Sequence, residues 1–179
     1  MTDSTPGPDT PAHFWQLLRV LMGHDVEFVI IGGFAVGLHG FQRATKDIDI
    51  VPAPDPENIS RLWDAISSID ARPADWGDFD ADELPAPFTR QGLIEGGRNW
   101  VVCTSLGRID LMPYVEDDDG ELPYDELRSA ARSEHFDEVD GDLWFASAEH
   151  LIAMKEHAGR DVDRGDVAAL RRALGLEDD

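Results

Sequence analysis

Three aspartates in this sequence are placed to do chemistry. Asp47-Ile48-Asp49 sets two carboxylates two residues apart in the run DIDIV, residues 47–51. On a strand, residues i and i+2 face the same side, so both carboxylates project together, roughly 6–7 Å apart, while Ile48 faces the core. Like charges at that spacing repel and raise a pKa unless a cation shares the gap. A hard divalent ion, Mg2+ or Mn2+, suits such oxygen ligands and keeps waters or phosphate oxygens as its remaining ligands. Asp110 is the third. It is the lone acid between apolar residues in Arg108-Ile109-Asp110-Leu111-Met112, and a lone buried acid needs a partner. If the two strands are neighbours, Asp110 completes a cluster with Asp47 and Asp49. Such a cluster suits two metal ions about 4 Å apart, which polarise an attacking hydroxyl and neutralise a leaving pyrophosphate. The Asp-x-Asp pair alone decides nothing. Among 37 acidic residues in a chain of 179 it arises easily, and it reads equally as two exposed acids at a strand end.

The elements that must position these residues are legible from periodicity. VEFVII, residues 26–31, is short and β-branched, hence a buried strand. Gly32-Gly33 follows at a tight turn into a short helix, where backbone amides can approach phosphate oxygens. Residues 48–51 form the next strand, ended by Pro52. Asp55 as N-cap, Pro56 in the first turn and Glu57 start a helix over 55–70 with the apolar stripe Ile59, Leu62, Trp63, Ile66 and Ile69. A helix over 12–23 precedes these elements. Residues 71–90 read as a loop with a short helix near 80–84. NWVVCTS and GRIDLMP form an antiparallel pair. Residues 116–120 are a solvated turn without the ligand spacing of a calcium loop. A short helix covers 123–131, a hairpin covers 134–146 and turns at Asp140-Gly141, and two helices follow, the first capped by Ser147 and broken at Gly159, the second over 162–174. The fold class is α+β: a mixed central sheet with flanking helices and a C-terminal helical tail. Residues 1–11 read as a disordered lead-in, 12–146 as the core, and 147–179 as a helical segment packed on it.

Composition narrows the partners. The net charge of −22 opposes non-specific nucleic-acid binding, which needs clustered Lys and Arg. It is compatible with a nucleotide, because metal ions bridge carboxylates to phosphates. No apolar run nears the roughly 20 residues of a membrane span, and the N-terminus lacks a signal-peptide pattern, so the expected compartment is the cytoplasm. Cys103 is the sole cysteine and sits in an apolar run, which predicts a buried thiol without a disulfide. Only two lysines occur among the 15 basic residues, Lys46 and Lys155.

The stretch GGFAVGLHGFQRATKDIDI, with a later strand aspartate, resembles the signature of the DNA polymerase beta superfamily of nucleotidyltransferases. The R-x-T-x-D-I-D-I run and the C-terminal LIAMKEHAGRDVDRGDVAAL, carrying K-x-x-x-G-R-x-x-D-x-x-D, are similar to its AbiEii-like group, many of which are toxins of type IV toxin–antitoxin pairs. The resemblance spans roughly residues 28–174, with little from 53–98. It implies a minimal nucleotidyltransferase fold and transfer of a nucleoside monophosphate from a triphosphate to a hydroxyl. The implied acceptor is a tRNA end, a protein side chain or a small molecule such as an antibiotic, and the implied protein partner is an antitoxin. By position, Gly32 and Gly33 would cradle the triphosphate, and Asp47, Asp49 and Asp110 would hold metal, Asp110 also being a candidate base. Lys155 would reach phosphate or the transition-state charge, Asp166 would orient that lysine, and Arg43 would face phosphate. Asp163 and Arg160 read more simply as a pair within the tail. The acidity and short length depart from the basic surfaces or larger helical domains of many toxins in the group. The readings from other classes are a non-catalytic interaction module on the same fold and a metal-dependent glycosyltransferase, for which the chain is short.

Overall fold

The computed structural model describes residues 12–41, 45–74, 88–95 and 98–176. The readings for residues 1–11, the helix near 80–84 and Arg43 lie outside these. The chain begins with α1 (Ala12–Gly23), β1 (Phe28–Ile31), α2 (Gly32–Leu38), β2 (Asp47–Pro52) and α3 (Pro56–Ser67). Next come β3 (Arg72–Pro73), α4 (Arg90–Glu95), β4 (Trp100–Thr104) and β5 (Gly107–Leu111). A small separate hairpin follows, β6 (Glu116–Asp117) and β7 (Gly120–Glu121), then α5 (Tyr124–Ala130), β8 (Arg132–Phe136) and β9 (Gly141–Phe145). The chain then forms the helix pair α6 (Ala148–Ala158) and α7 (Asp163–Ala173).

Seven strands make one sheet in the order β3-β4-β5-β2-β1-β9-β8. It is mixed: β2 runs parallel to β5, and β1 parallel to β9, while the other neighbours are antiparallel. β1 is wholly buried because every residue of FVII is apolar and the strand lies in the sheet's interior. Along β2 and β5 the side chains alternate. Ile48, Ile50, Ile109 and Leu111 enter a continuous core with Leu17 and Leu21 of α1 and Leu62 and Ile66 of α3. The alternate positions are Asp47, Asp49, Arg108 and Asp110, which therefore share the opposite face.

Local chemistry explains the boundaries that matter. The Asp55 carboxylate accepts from Asn58 N at 2.8 Å, capping α3 as its sequence implies. Ser147 caps α6 by accepting from His150 N, and Gly159 ends that helix in the left-handed region at φ 60°. Several details differ from the sequence reading, among them β3 inside the stretch read as a loop and a hairpin that starts at Arg132. β1 starts at Phe28 rather than residue 26. Residues 90–95 form helix α4. Cys103 is half-buried, since the alternation of β4 turns Trp100 and Val102 into the core and places Cys103 on the other face. Among the described residues no helix is long and apolar enough to cross a membrane.

Candidate active site

The parallel register of β2 and β5 builds the site. It pairs Asp49 with Asp110 and Asp47 with Arg108. The three predicted carboxylates thus stand together on one face, Asp47 and Asp49 successive along β2 and Asp110 beside Asp49 on the neighbouring strand. Asp110 is the lone acid of its strand, and the acids beside it come from β2 across the ladder.

Arg108 lies among them and was not singled out by its sequence position. Its Nε is 3.1 Å from Asp110 Oδ1 and 3.5 Å from Asp47 Oδ2, and its Nη2 is 3.5 Å from Asp110 Oδ2. The signal was present: Arg108 precedes Asp110 by two residues and must share its face. The guanidinium bridges two carboxylates that would otherwise repel each other.

Asp49 is the most perturbed of the three. Burial raises its pKa from 3.8 to about 7, with Asp110 and Asp47 pushing the same way and Lys155 and Arg160 pulling it down. Asp110 is also raised by burial, against the hydrogen bond and charge of Arg108. Desolvation and crowded like charge are the two conditions that make a carboxylate cluster demand a cation.

The glycine turn reaches the same carboxylate. Gly32 opens α2 directly after β1 with φ 66°, a left-handed conformation that a side chain disfavours. A Cβ there would lie 1.9 Å from Asp49 Oδ2 and 2.6 Å from its Cγ. Gly32 therefore lets the backbone close onto the acid, while Gly33 continues α2 and is buried. His39 ends α2, with Nε2 3.0 Å from the Ala146 carbonyl oxygen, which ties α2 to the end of β9.

The C-terminal motif forms a second ionic cluster. Lys155 is 6% exposed, and its Nζ lies 2.8 Å from Asp163 Oδ1 and 2.7 Å from Asp166 Oδ2. Asp163 and Asp166 are 2% and 1% exposed. Burial works to raise the Asp163 pKa, but hydrogen bonds from Arg160 and Lys155 outweigh it and hold the carboxyl low. The side chain of Arg160 is 67% exposed and pairs with Asp163 at 2.7 Å, as the simpler reading of that pair expected. Asp166 contacts Lys155, the geometry an orienting residue needs. The left-handed stop at Gly159 reverses the chain between α6 and α7, so residues 8 and 11 places after Lys155 return to it. An open depression of about 510 Å3 lies along this helix pair, lined by Lys155, Arg160, Asp163, Arg164, Val167 and Arg171 among others. Lys155 and Arg160 belong both to this depression and to the electrostatic surroundings of Asp49.

Whether the carboxylate row fits a metal is a question of its donors. Among the described residues no group of three acidic, His or Cys side chains converges on one point as a closed cage. Hard ions such as Mg2+ are held by one or two carboxylates plus substrate phosphates rather than by an all-protein cage. An open row of carboxylates, bridged by a guanidinium at two members and with a raised pKa at the third, fits that mode.

The seven-stranded mixed sheet with its flanking helices and C-terminal helix pair matches the nucleotidyltransferase fold, as comparison with solved structures shows. The chain superposes on the lincomycin-bound lincosamide antibiotic adenylyltransferase LnuA with TM-score 0.57 at 18% identity, over 92% of this chain and 98% of that one. It superposes on the antibiotic-resistance factor ANT(2'')-Ia in solution with TM-score 0.53 at 15% identity, over 93% and 85%. A crystal structure of ANT(2'')-Ia in complex with adenylyl-2''-tobramycin gives 0.54 at 15%, over 90% and 87%. No family model matches the chain, and no curated protein sequence does.

Proposed function

We propose that this protein is a divalent-metal-dependent nucleotidyltransferase, moving a nucleoside monophosphate from a nucleoside triphosphate to a hydroxyl. The observation that carries the reading is the register: Asp49 opposite Asp110, with Asp47 two residues away on the same face. The fold is that of adenylyltransferases, which adds support. Asp47, Asp49 and Asp110 would hold Mg2+ or Mn2+, which when bound supplies positive charge against the phosphate oxygens and the departing pyrophosphate.

The chain's own residues account for the remaining requirements. Gly32 brings backbone, without a side chain, to the carboxylate row, where the triphosphate would lie, with Gly33 next in α2 as the second glycine of the proposed cradle. Lys155 and Arg160 are the positive groups acting on Asp49. Lys155 is held in place by Asp163 and Asp166, so its charge is fixed rather than mobile. Arg160 is the exposed member, paired with Asp163, and its solvent side would face phosphate. Arg43, outside the described residues, would add a further contact. The acceptor hydroxyl attacks the α-phosphorus. A new P–O bond forms as the bond to the bridging oxygen breaks, and pyrophosphate leaves with that electron pair. The hydroxyl proton passes to a carboxylate oxygen of Asp110.

For the acceptor, a small molecule is the reading favoured here. A chain of net charge −22 repels nucleic acid, and solved structures that share the fold include the lincosamide antibiotic adenylyltransferase LnuA bound to lincomycin and ANT(2'')-Ia in complex with adenylyl-2''-tobramycin. A role as a toxin, with an antitoxin as partner, rests on the R-x-T-x-D-I-D-I and C-terminal motifs alone. The test is incubation with α-labelled triphosphates, Mg2+ and a panel of hydroxylated antibiotics, tRNA and cell extract. Labelled small-molecule product, lost in Asp47→Asn and Asp49→Asn, is expected. Labelling that survives both substitutions overturns the assignment, and labelled tRNA or protein overturns the choice of acceptor.

A further inference from the structure

Arg108 has no counterpart among the roles above, yet it is in the middle of the row. It is in register with Asp47 across the ladder and two residues before Asp110 on its own strand. Its guanidinium reaches both carboxylates, at 3.5 Å and 3.1 Å, while 37% of the side chain remains exposed. Three carboxylates on one half-buried face would repel one another, and a planar fork of donors matches carboxylate geometry well.

We infer that Arg108 is an internal counter-ion that holds Asp47 and Asp110 together in the metal-free protein and competes with the divalent ion for the same two carboxylates. This rests on the metal-site reading above. A carboxylate oxygen that accepts from the guanidinium is partly neutralised and is a poorer ligand. The metal must therefore displace Arg108, and the half-exposed side chain has solvent to move into. The arrangement keeps the row ordered without metal and lowers its affinity for metal alone. A nucleotide that carries both the metal and phosphate oxygens gives the released guanidinium a new anionic partner, so metal and triphosphate enter together. Arg108 is thus a positioning residue that makes loading depend on the complete substrate.

The test reads two quantities that move in opposite directions. Mn2+ binding without nucleotide is followed by the loss of the free-ion EPR signal, and thermal unfolding is measured in EDTA. Arg108→Gln is expected to bind Mn2+ about tenfold tighter or more, since the competing positive charge is gone. It is expected to unfold at lower temperature in EDTA and to regain that loss when Mn2+ is added. Arg108→Lys, which keeps the charge but not the fork, shifts the same way by less, and serves if the Gln variant does not fold. A merely structural role weakens both quantities. Unchanged or weaker Mn2+ binding in Arg108→Gln, while the parent binds Mn2+ and Asp49→Asn does not, overturns the role of Arg108 and leaves the metal site standing. No Mn2+ binding in any of the four proteins overturns both.

Discussion

Asp49→Asn removes one charge from the row and keeps its shape. In the unfolded chain this carboxyl titrates near 3.8, and in the fold at about 7. One pKa unit is about 1.4 kcal/mol, so ionised Asp49 opposes folding by roughly 4 kcal/mol at pH 8 in the absence of metal. The sign follows from proton binding. Between about pH 4 and pH 7 the folded state holds a proton that the unfolded state has released. Stability therefore falls as pH rises through that window and levels off above it. Asparagine has no such titration. In EDTA, the difference in unfolding free energy, variant minus parent, should be near zero at pH 4 and climb to a plateau of about 2–4 kcal/mol above pH 7 in favour of the variant. Urea unfolding at half-unit pH steps measures it, and subtraction cancels the titration of acids outside the row. Saturating Mg2+ should shrink the difference at pH 8, because it stabilises only the carboxylate. A flat difference curve, or a variant less stable than the parent at pH 8 in EDTA, refutes the electrostatic reasoning.

Two further substitutions probe the surroundings of that acid. Gly32→Ala combines a left-handed backbone, costing about 1–2 kcal/mol for a non-glycine residue, with a Cβ 1.9 Å from Asp49 Oδ2. The carboxylate must move by more than a bond length's tolerance, so transfer activity should drop by about 100-fold, read in a turnover assay beside urea unfolding. Parent-like turnover would show that the acid is not held against the turn. Lys155→Met leaves Asp163 and Asp166 buried without their ammonium and should cost about 3–5 kcal/mol. Asp163 is held low in the parent, so its contribution is present above about pH 4 and is lost as pH falls through the lower folded value. In the variant, acid unfolding should begin at higher pH, and an unmoved acid transition would contradict the cluster.

The elements carrying the site were readable because their signals are local. Asp55-Pro56-Glu57 starts α3 through backbone chemistry within one turn, and Ser147 and Gly159 bound α6 the same way. The alternation of DIDIV put Asp47 and Asp49 on one face before any neighbour was known. What the sequence could not show depends on pairing across distance. Arg108 shares a face with Asp110 by alternation alone, but it reaches Asp47 because β5 lies parallel to β2 in one register. The burial of Lys155 depends on how α7 folds back along α6, which no periodicity within either helix encodes. Cys103 was misread because an apolar run does not tell which face of a strand is covered.

The central claim is that the carboxylate row binds a metal–triphosphate complex. Calorimetric titration of ATP, CTP, GTP and UTP, each with Mg2+ and with EDTA, tests it most directly. The account predicts binding of at least one triphosphate that requires the divalent ion and disappears in the Asp47→Asn, Asp49→Asn double variant. Binding of no triphosphate, or binding indifferent to both the metal and the two aspartates, would contradict it.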